Sequence, residues 1–235
     1  KDASPTPTPT PIPTATPHPG NLLENGGFEA EWIQEGGTNR AVAFADDGGA
    51  YEENNDHDQA LPGWIAWFRR SSGVWYEPYA GGVSADEDPR RVHSGLRGVE
   101  ISTTYTKHDA GVFQQVDVAP GTRLRLSAVS HAWSNWQAGP HPDDPLWSEG
   151  PGYDCGFLPE GEAPDDDWRN VTFWVGIDPT GGIDPDAETV EWGSGAHIYN
   201  CFHEVPSVEV EAQSHRVTVF LRSRTEWPFW HNNAY

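Results

Sequence analysis

Residues 208–222, VEVEAQSHRVTVFLR, decide the fold class. Val208, Val210 and Ala212 alternate with Glu209, Glu211 and Gln213; beyond Ser214-His215, Val217, Val219 and Leu221 alternate with Thr218, Phe220 and Arg222. A two-residue period sends every second side chain to one face of a pleated strand, so this stretch predicts two half-buried strands joined as a hairpin at Ser214-His215. The pattern recurs upstream. Residues 111–118, GVFQQVDV, and 123–128, RLRLSA, flank Ala119-Pro120-Gly121-Thr122 and predict a second hairpin. Further strands are expected over 98–104, 171–177 and 61–68, and no window carries the period of an amphipathic helix. Short strands punctuated by proline and glycine predict an all-β fold, an antiparallel β-sandwich of jelly-roll type.

Composition divides the chain in two. Residues 1–20, KDASPTPTPTPIPTATPHPG, place proline at alternate positions, which removes amide donors and favours the extended polyproline II form. This segment is an extended linker or arm, and residues 21–235 form one β-sandwich domain with long loop insertions over 36–60 and 134–169. Methionine is absent, which predicts a chain whose initiator segment has been removed. The 36 acidic residues outweigh 14 basic ones to give a net charge of −22, and Lys1 and Lys107 are the only lysines. Such a field repels phosphate backbones and anionic lipid heads, so nucleic acid is excluded as a partner. No apolar run approaches the roughly 20 residues of a spanning helix, so no membrane insertion is expected. Neutral glycans and cations are compatible with this charge.

Asn21-Leu22-Leu23-Glu24-Asn25-Gly26-Gly27-Phe28-Glu29 resembles the opening strand and turn of the galactose-binding-like jelly rolls that serve as carbohydrate-binding modules in secreted bacterial proteins. Residues 91–101, RVHSGLRGVEI, resemble the "HSG" strand of that family, and residues 111–130 its central strand pair. Residues 175–185, VGIDPTGGIDP, with 190–192 and 217–235, are similar to secreted proteins of filamentous and thermophilic bacteria. The resemblance implies an extracellular or cell-surface protein that binds glycans without catalysis. It also implies a structural calcium ion (Ca2+) near the first strand. Glu29 occupies the matching turn, Ser94 lies in the loop that would supply a carbonyl, and Asn233 stands in for a carboxylate through its amide oxygen. The family's acidic final strand has no counterpart after Tyr235, which predicts a sheet edge open to donation by another chain.

Cys155 and Cys201 are the only cysteines. In an extracellular chain they predict one disulfide, set against the alternative of two free thiols. The loop of 201 minus 155, or 46, steps would stabilise by about 4 kcal/mol in the chain-entropy model. Asn54, Asp56 and Asp58 resemble the start of a calcium-binding EF-hand loop, yet Gln59 and Ile65 replace its glycine and closing glutamate, so a solvated acidic loop is the reading there. Asp184, Asp186 and Glu188, and the run Asp165 to Asp167, read the same way.

Aromatic residues carry the other signal. Sugar rings pack flat faces on tryptophan and tyrosine while their hydroxyls need amides and carboxylates. The second insertion, with Trp133 just before it, supplies Asn135, Trp136, Gln137, Trp147, Tyr153 and Asp154, which are the candidate glycan-binding residues; loop packing is the competing reading. Trp75, Tyr76 and Tyr79 form another cluster, whereas Trp64, Trp67, Trp174 and Trp192 lie on strand-like segments and are assigned to the core. There is no nucleophile elbow, zinc-protease helix, P-loop or dinucleotide fingerprint. His93 and Ser94 are adjacent and would point to opposite faces, which argues against a triad. The sequence therefore reads as no enzyme. Thr6, Thr8, Thr10, Thr14 and Thr16 are candidate O-glycosylation sites, and Asn170-Val171-Thr172 is an N-glycan sequon. Two functions fit: a glycan-binding or tethering module, or a structural subunit of an extracellular filament, sheath or lattice in which the arm contacts identical subunits.

Overall fold

Every strand expected from alternation exists, but its neighbours differ from those expected. The computed structural model describes residues 20–32, 40–45, 50–54, 61–70, 78–135, 156–159 and 170–235. Among them, β1 (Arg40–Ala45), β2 (Ala50–Asn54), β3 (Ile65–Arg70), β6 (Asp109–Asp117), β9 (Gly156–Pro159), β10 (Val171–Asp178), β11 (Glu191–Trp192), β12 (Ala196–Tyr199) and β14 (Arg216–Thr225) form a nine-stranded sheet. Its order is β2-β1-β3-β6-β14-β10-β12-β9, with β11 added to β10. The opposing layer holds a four-stranded sheet and a two-stranded one. The first, of β4 (Tyr79–Ser84), β5 (Arg97–Thr103), β8 (Ala132–Asn135) and β15 (His231–Ala234), runs β4-β5-β15-β8; the second pairs β13 (His203–Glu211) with β7 (Arg123–Ser130). All pairings are antiparallel except β1 with β3, which is parallel.

Neither expected hairpin forms. β14 pairs with β6 and β10, while β13 pairs with β7. The turns at 119–122 and 212–215 are therefore arches that carry the chain from one layer to the other. Alternation names the apolar face of a strand and not its partner: Val112 and Val116 face Leu126 across the core as readily as they would sit beside it. The two arches lie side by side, bonded from Gly121 N to Ala212 O (2.7 Å) and from Ala212 N to Thr122 O (2.9 Å). Gly121 takes φ of +83°, which a side chain would oppose. The register of β13 against β7 shifts between Val205 and Val208, where Pro206 has no amide to give the ladder.

The inner faces close on each other. Val171, Phe173, Val175, Ile177, Val217 and Val219 of the large sheet meet Ile101, Leu126, Ala132, Val205, Val208 and Ala234 of the other layer in one core. A buried polar chain ties the layers together. His108, fully buried, faces Thr103 Oγ1 through Nδ1 (3.2 Å) and Ser223 Oγ through Nε2 (3.1 Å), and its amide donates to Thr225 Oγ1. Asn232, also fully buried, donates to Thr106 O (3.1 Å) and accepts from Asn170 Nδ2 (2.5 Å). Burial pushes the His108 imidazole down to about 4, so it stays neutral in the core. Asn170 is 2% exposed and spends its amide nitrogen on Asn232 and Trp227, so in the folded domain the sequon offers no acceptor.

β15 pairs on both sides, with β5 and with β8, and so lies inside its sheet. No helix of the described residues is long and apolar enough to cross a membrane.

Candidate functional site

Alternation on the four-stranded sheet places Ala80, Ile101, Ala132 and Ala234 in the core. The residues between them therefore face outwards. Register aligns Tyr79 on β4, Ser102 on β5, Asn233 on β15 and Trp133 on β8 in one row across the sheet. Beside Ser102 on the same face stands Glu100, opposite Gly81. Three inter-strand steps of about 4.8 Å put the two aromatic ends of the row about 14 Å apart.

The middle of this face is polar and fixed. Asn233 Nδ2 donates to Glu100 Oε1 at 2.6 Å and to the Tyr235 hydroxyl at 3.1 Å, and that hydroxyl lies 3.5 Å from the same carboxylate oxygen. Burial pushes the Glu100 carboxyl above its ordinary range, against the hydrogen bonds from Asn233, Ser102 and Tyr235. Burial, and then the Glu100 charge, raise the Tyr235 phenol in turn. The Asn233 Oδ1 is buried without a partner among the described residues. Tyr79 lies over Gly81, where a Cβ would collide with the phenol ring. Only glycine lets that ring lie flat along the sheet.

Arg91 closes the 3-10 turn Pro89–Arg91 and braces one side. Its guanidinium stands over the Trp133 ring at 5.7 Å and over the Tyr235 ring at 5.2 Å, and it donates to His131 Nε2 at 3.0 Å. Burial, reinforced by this neighbouring cation, holds His131 down to about 3. Further rings continue the face in both directions. Tyr105 meets Trp230 at a tilt (5.1 Å), which meets His231 (5.5 Å), which meets Trp133 (6.2 Å). At the other end His131 meets Phe202 (5.1 Å), which meets His93 (5.2 Å). Tyr105 is 56% exposed and sits at φ of +56°, an unusual backbone for a residue with a Cβ.

Flat rings flanking a carboxylate, an amide and hydroxyls suit a neutral ligand with polarised C–H faces and many hydroxyls. By contrast, the cavity of about 220 Å³ lined by Phe28, Val112, Leu126, Phe173 and Leu221 is bounded by the inner faces of both layers. Arg91, His93, Ser94, Arg97 and Tyr235 line it as well.

The residues singled out from the sequence meet this face unequally. Trp133 and Tyr79 form its two ends. Asn135 is the last residue of β8, opposite His231. Trp136, Gln137, Trp147, Tyr153 and Asp154 lie outside the described residues, as do Thr6, Thr8, Thr10, Thr14, Thr16, Cys155, Trp75 and Tyr76. Cys201 is described and is not free. Glu100, Ser102, Tyr235 and Arg91 were missed, although Gly98, Glu100 and Ser102 alternating with Val99, Ile101 and Thr103 mark a strand with a polar outer face. Of the four tryptophans assigned to the core, Trp64 is buried in it; Trp67 is buried in a separate cluster with Phe44, Phe113 and Phe220 on the outer face of the large sheet, where Trp174 and Trp192 are half-buried.

The proposed metal set assembles in part. Glu29 folds over the Ser94–Leu96 turn: its Oε2 accepts from Leu96 N at 3.0 Å, and Gly95, at φ of +75°, leaves room for the carboxylate where a Cβ would collide. Glu29 Oε1 is buried with no partner among the described residues, which suits a cation. Its carbonyl, however, already accepts from Arg97 at 3.0 Å, and Asn233 belongs to the polar centre with Glu100. Among the described residues no group of three or more His, Cys, Asp and Glu side chains could hold a metal. Asp184 and Asp186 stand in a surface turn, with Asp184 Oδ1 accepting from Asp186 N and Asp186 paired with Arg69.

No protein-family model matches the chain, and no curated protein matches it. Among solved structures it is similar to TmCBM61 in complex with β-1,4-galactotriose, with a TM-score of 0.41 at 10% identity over 73% of this chain and 81% of that one. It is also similar to a carbohydrate-binding module of the β-sandwich superfamily, with a TM-score of 0.37 at 12% identity over 81% and 67%. A third likeness is to the CBM22-1-GH10 modules of Clostridium thermocellum xylanase 10B complexed with xylohexaose, with a TM-score of 0.33 at 12% identity, covering 73% of this chain and 25% of that one. Likenesses this distant carry no functional weight, so the reading rests on the chemistry of the face.

Proposed function

We propose that the protein is a non-catalytic, extracellular glycan-binding module whose ligand lies across the outer face of the four-stranded sheet. The observation that carries this reading is the row Tyr79–Ser102–Asn233–Trp133, with Glu100 beside its centre. The two rings would stack on sugar faces. Glu100, already held by Asn233, would accept from sugar hydroxyls without losing side-chain entropy on binding. Trp136, Gln137, Trp147, Tyr153 and Asp154 stay in the reading because the segment that carries them begins where β8 ends. The test is a glycan array followed by titration of the best neutral oligosaccharide. Trp133→Ala and Tyr79→Ala should each weaken binding at least about tenfold, or about 1.4 kcal/mol. Unchanged affinity in both folded variants would refute the site.

Two accompanying features belong to the extracellular reading. Cys155 and Cys201 are proposed to be bonded, which unreduced peptide mass spectrometry would show as a linked pair. A calcium ion is proposed at Glu29, supported by the unpartnered Oε1 beside the Ser94–Leu96 turn. An ion bound only by the folded state adds about 2.7 kcal/mol at a hundredfold excess over its Kd. A melting temperature unmoved by chelator would remove it.

A further inference from the structure

The lane that holds β15 runs on past Tyr235 between two strand edges. Tyr235 and His131 exchange both backbone bonds, Tyr235 N to His131 O at 2.8 Å and His131 N to Tyr235 O at 2.9 Å. Bonding residues alternate from one side of an antiparallel strand to the other, so Ala234 turns its backbone the opposite way, to Ile101 of β5. The same alternation continues along both walls. On β5 the next residue to face the lane is Val99; on the run from β8 back through His131 into β7 the next are Val129 and Ser127. Val99 pairs only with Gly82 of β4, and Val129 only with Glu204 of β13, both on the sides away from the lane. The backbone groups on the lane side therefore meet no strand among the described residues.

The gap is one strand wide. β15 holds β5 and β8 two inter-strand steps apart, about 9.6 Å, and β7 follows on from β8 with only His131 between them. The cavity of about 220 Å³ lies in this gap: Arg97, Gly98 and Val99 line one wall, Ser127 to Ser130 the other, and Tyr235 one end. Its floor is the core, with Phe28, Phe173 and Leu221 below and the inward side chains of Val99 and Ala128 at the walls. A small apolar molecule would cover that floor and leave the backbone of both walls unpaired, whereas a strand answers floor and walls together.

We propose that this slot is a strand-acceptor site for an extended, proline-free peptide segment of a partner chain, with apolar residues at alternate positions. The segment runs in the direction of β15, antiparallel to both walls. Residues that bond Val99 point their side chains to the floor, and those between them bond Val129 and point outwards. Residues 1–20 of this chain do not meet the requirement. Every proline from Pro5 to Pro19 is odd-numbered, so in an extended form all of them fall on one edge, and one wall would meet no amide donor.

The probe is a capped pentapeptide alternating valine with serine, titrated calorimetrically against the whole chain, with amide hydrogen exchange followed alongside. A control peptide carries proline in place of each serine, which keeps the valines and removes the donors that face β7. The valine–serine peptide should bind and slow exchange at Val99, Ser127 and Val129, whose amides exchange freely without it. The proline control and a peptide of residues 1–20 should bind at least about tenfold more weakly, the loss expected for missing ladder bonds. Ala128→Phe, which fills the floor, and Ser127→Pro, which removes a lane amide that β13 does not use, should weaken the valine–serine peptide by a similar factor, while Trp133→Ala leaves it unchanged. No binding, equal binding of the proline control, the three amides already protected in the free protein, or unchanged affinity in both wall variants would overturn the proposal. So would a reversible dimer that protects the same amides, because a second copy would then fill the slot. Benzene binding in the slot in place of the peptide would overturn it too, by making the slot a cavity for small apolar molecules.

Discussion

The two outer faces of the sandwich use a buried carboxylate in opposite ways. On the large sheet Asp109 is locked by the fork of Arg222, with Arg69 close by, and its charge is spent on holding indoles in place. On the four-stranded sheet Glu100 is held only by neutral donors, chiefly Asn233. A carboxylate answered by an arginine becomes scaffold; one answered by an amide keeps acceptor capacity for a ligand. The partner, rather than the acid, decides whether the group is structural or functional.

The sharpest way to break this contrast is to remove each acid. Asp109→Ala leaves Arg222 and Arg69 facing a desolvated gap and should cost about 3–5 kcal/mol of stability by urea denaturation. Glu100→Gln keeps hydrogen-bonding capacity and removes a desolvated charge, so it should stay within about 1 kcal/mol of wild type. Equal losses would erase the distinction.

Acid should act next. The folded-state values of His108 (about 4) and His131 (about 3) lie below the ordinary 6.5, so their contribution to stability is present above pH 6.5 and is lost as pH falls through those folded values. His108 alone then costs roughly 3 kcal/mol at 1.36 kcal/mol per unit. Glu100 has the opposite sign: its folded value is raised by burial, so its contribution is present below 4.5 and is lost as pH rises through the folded value. Unfolding measured from pH 7 downwards should fall steeply in wild type, and Glu100→Gln should gain most at neutral pH. A flat profile would contradict the burial of both imidazoles.

Trp133→Ala should cost about 1.4 kcal/mol, or about tenfold, on the neutral glycan. The smallest change expected is at the rim: Tyr105→Gly relieves the positive φ while losing the Trp230 contact, so stability should move by less than about 1 kcal/mol. A larger loss would make Tyr105 a structural keystone of the turn.

Strand positions were legible wherever one face is apolar and the other polar, as in β6, β7, β10, β13 and β14. Partners were not, because alternation is equally satisfied by a neighbour in the same sheet and by a strand across the core. The aromatic ends of the face were visible as clusters, Trp133 before one insertion and Tyr79 after another. Glu100 and Asn233 were not joined, since 133 positions separate them and only β15 inserting beside β5 brings Asn233 Nδ2 to the carboxylate. Asn233 was assigned to a metal for the same reason. Trp174 and Trp192 read as core because a strand inside a large sheet shows tryptophan on either face.

The place of β15 has a consequence for how the chain matures during synthesis. β8 has no other strand neighbour among the described residues, and β15 meets β5 some 130 positions later in the chain, as in the pairing of Asn232 with Thr103. The nine-stranded sheet can form its central pair, β6 with β14, as soon as residue 225 has been made. The outer face of the four-stranded sheet cannot. Until residues 231–234 emerge, β5 and β8 wait with bare edges and Glu100 lacks its amide. The face proposed to bind is therefore completed after the central pair of the large sheet, and its waiting edges are the ones exposed to capture by another chain in the meantime.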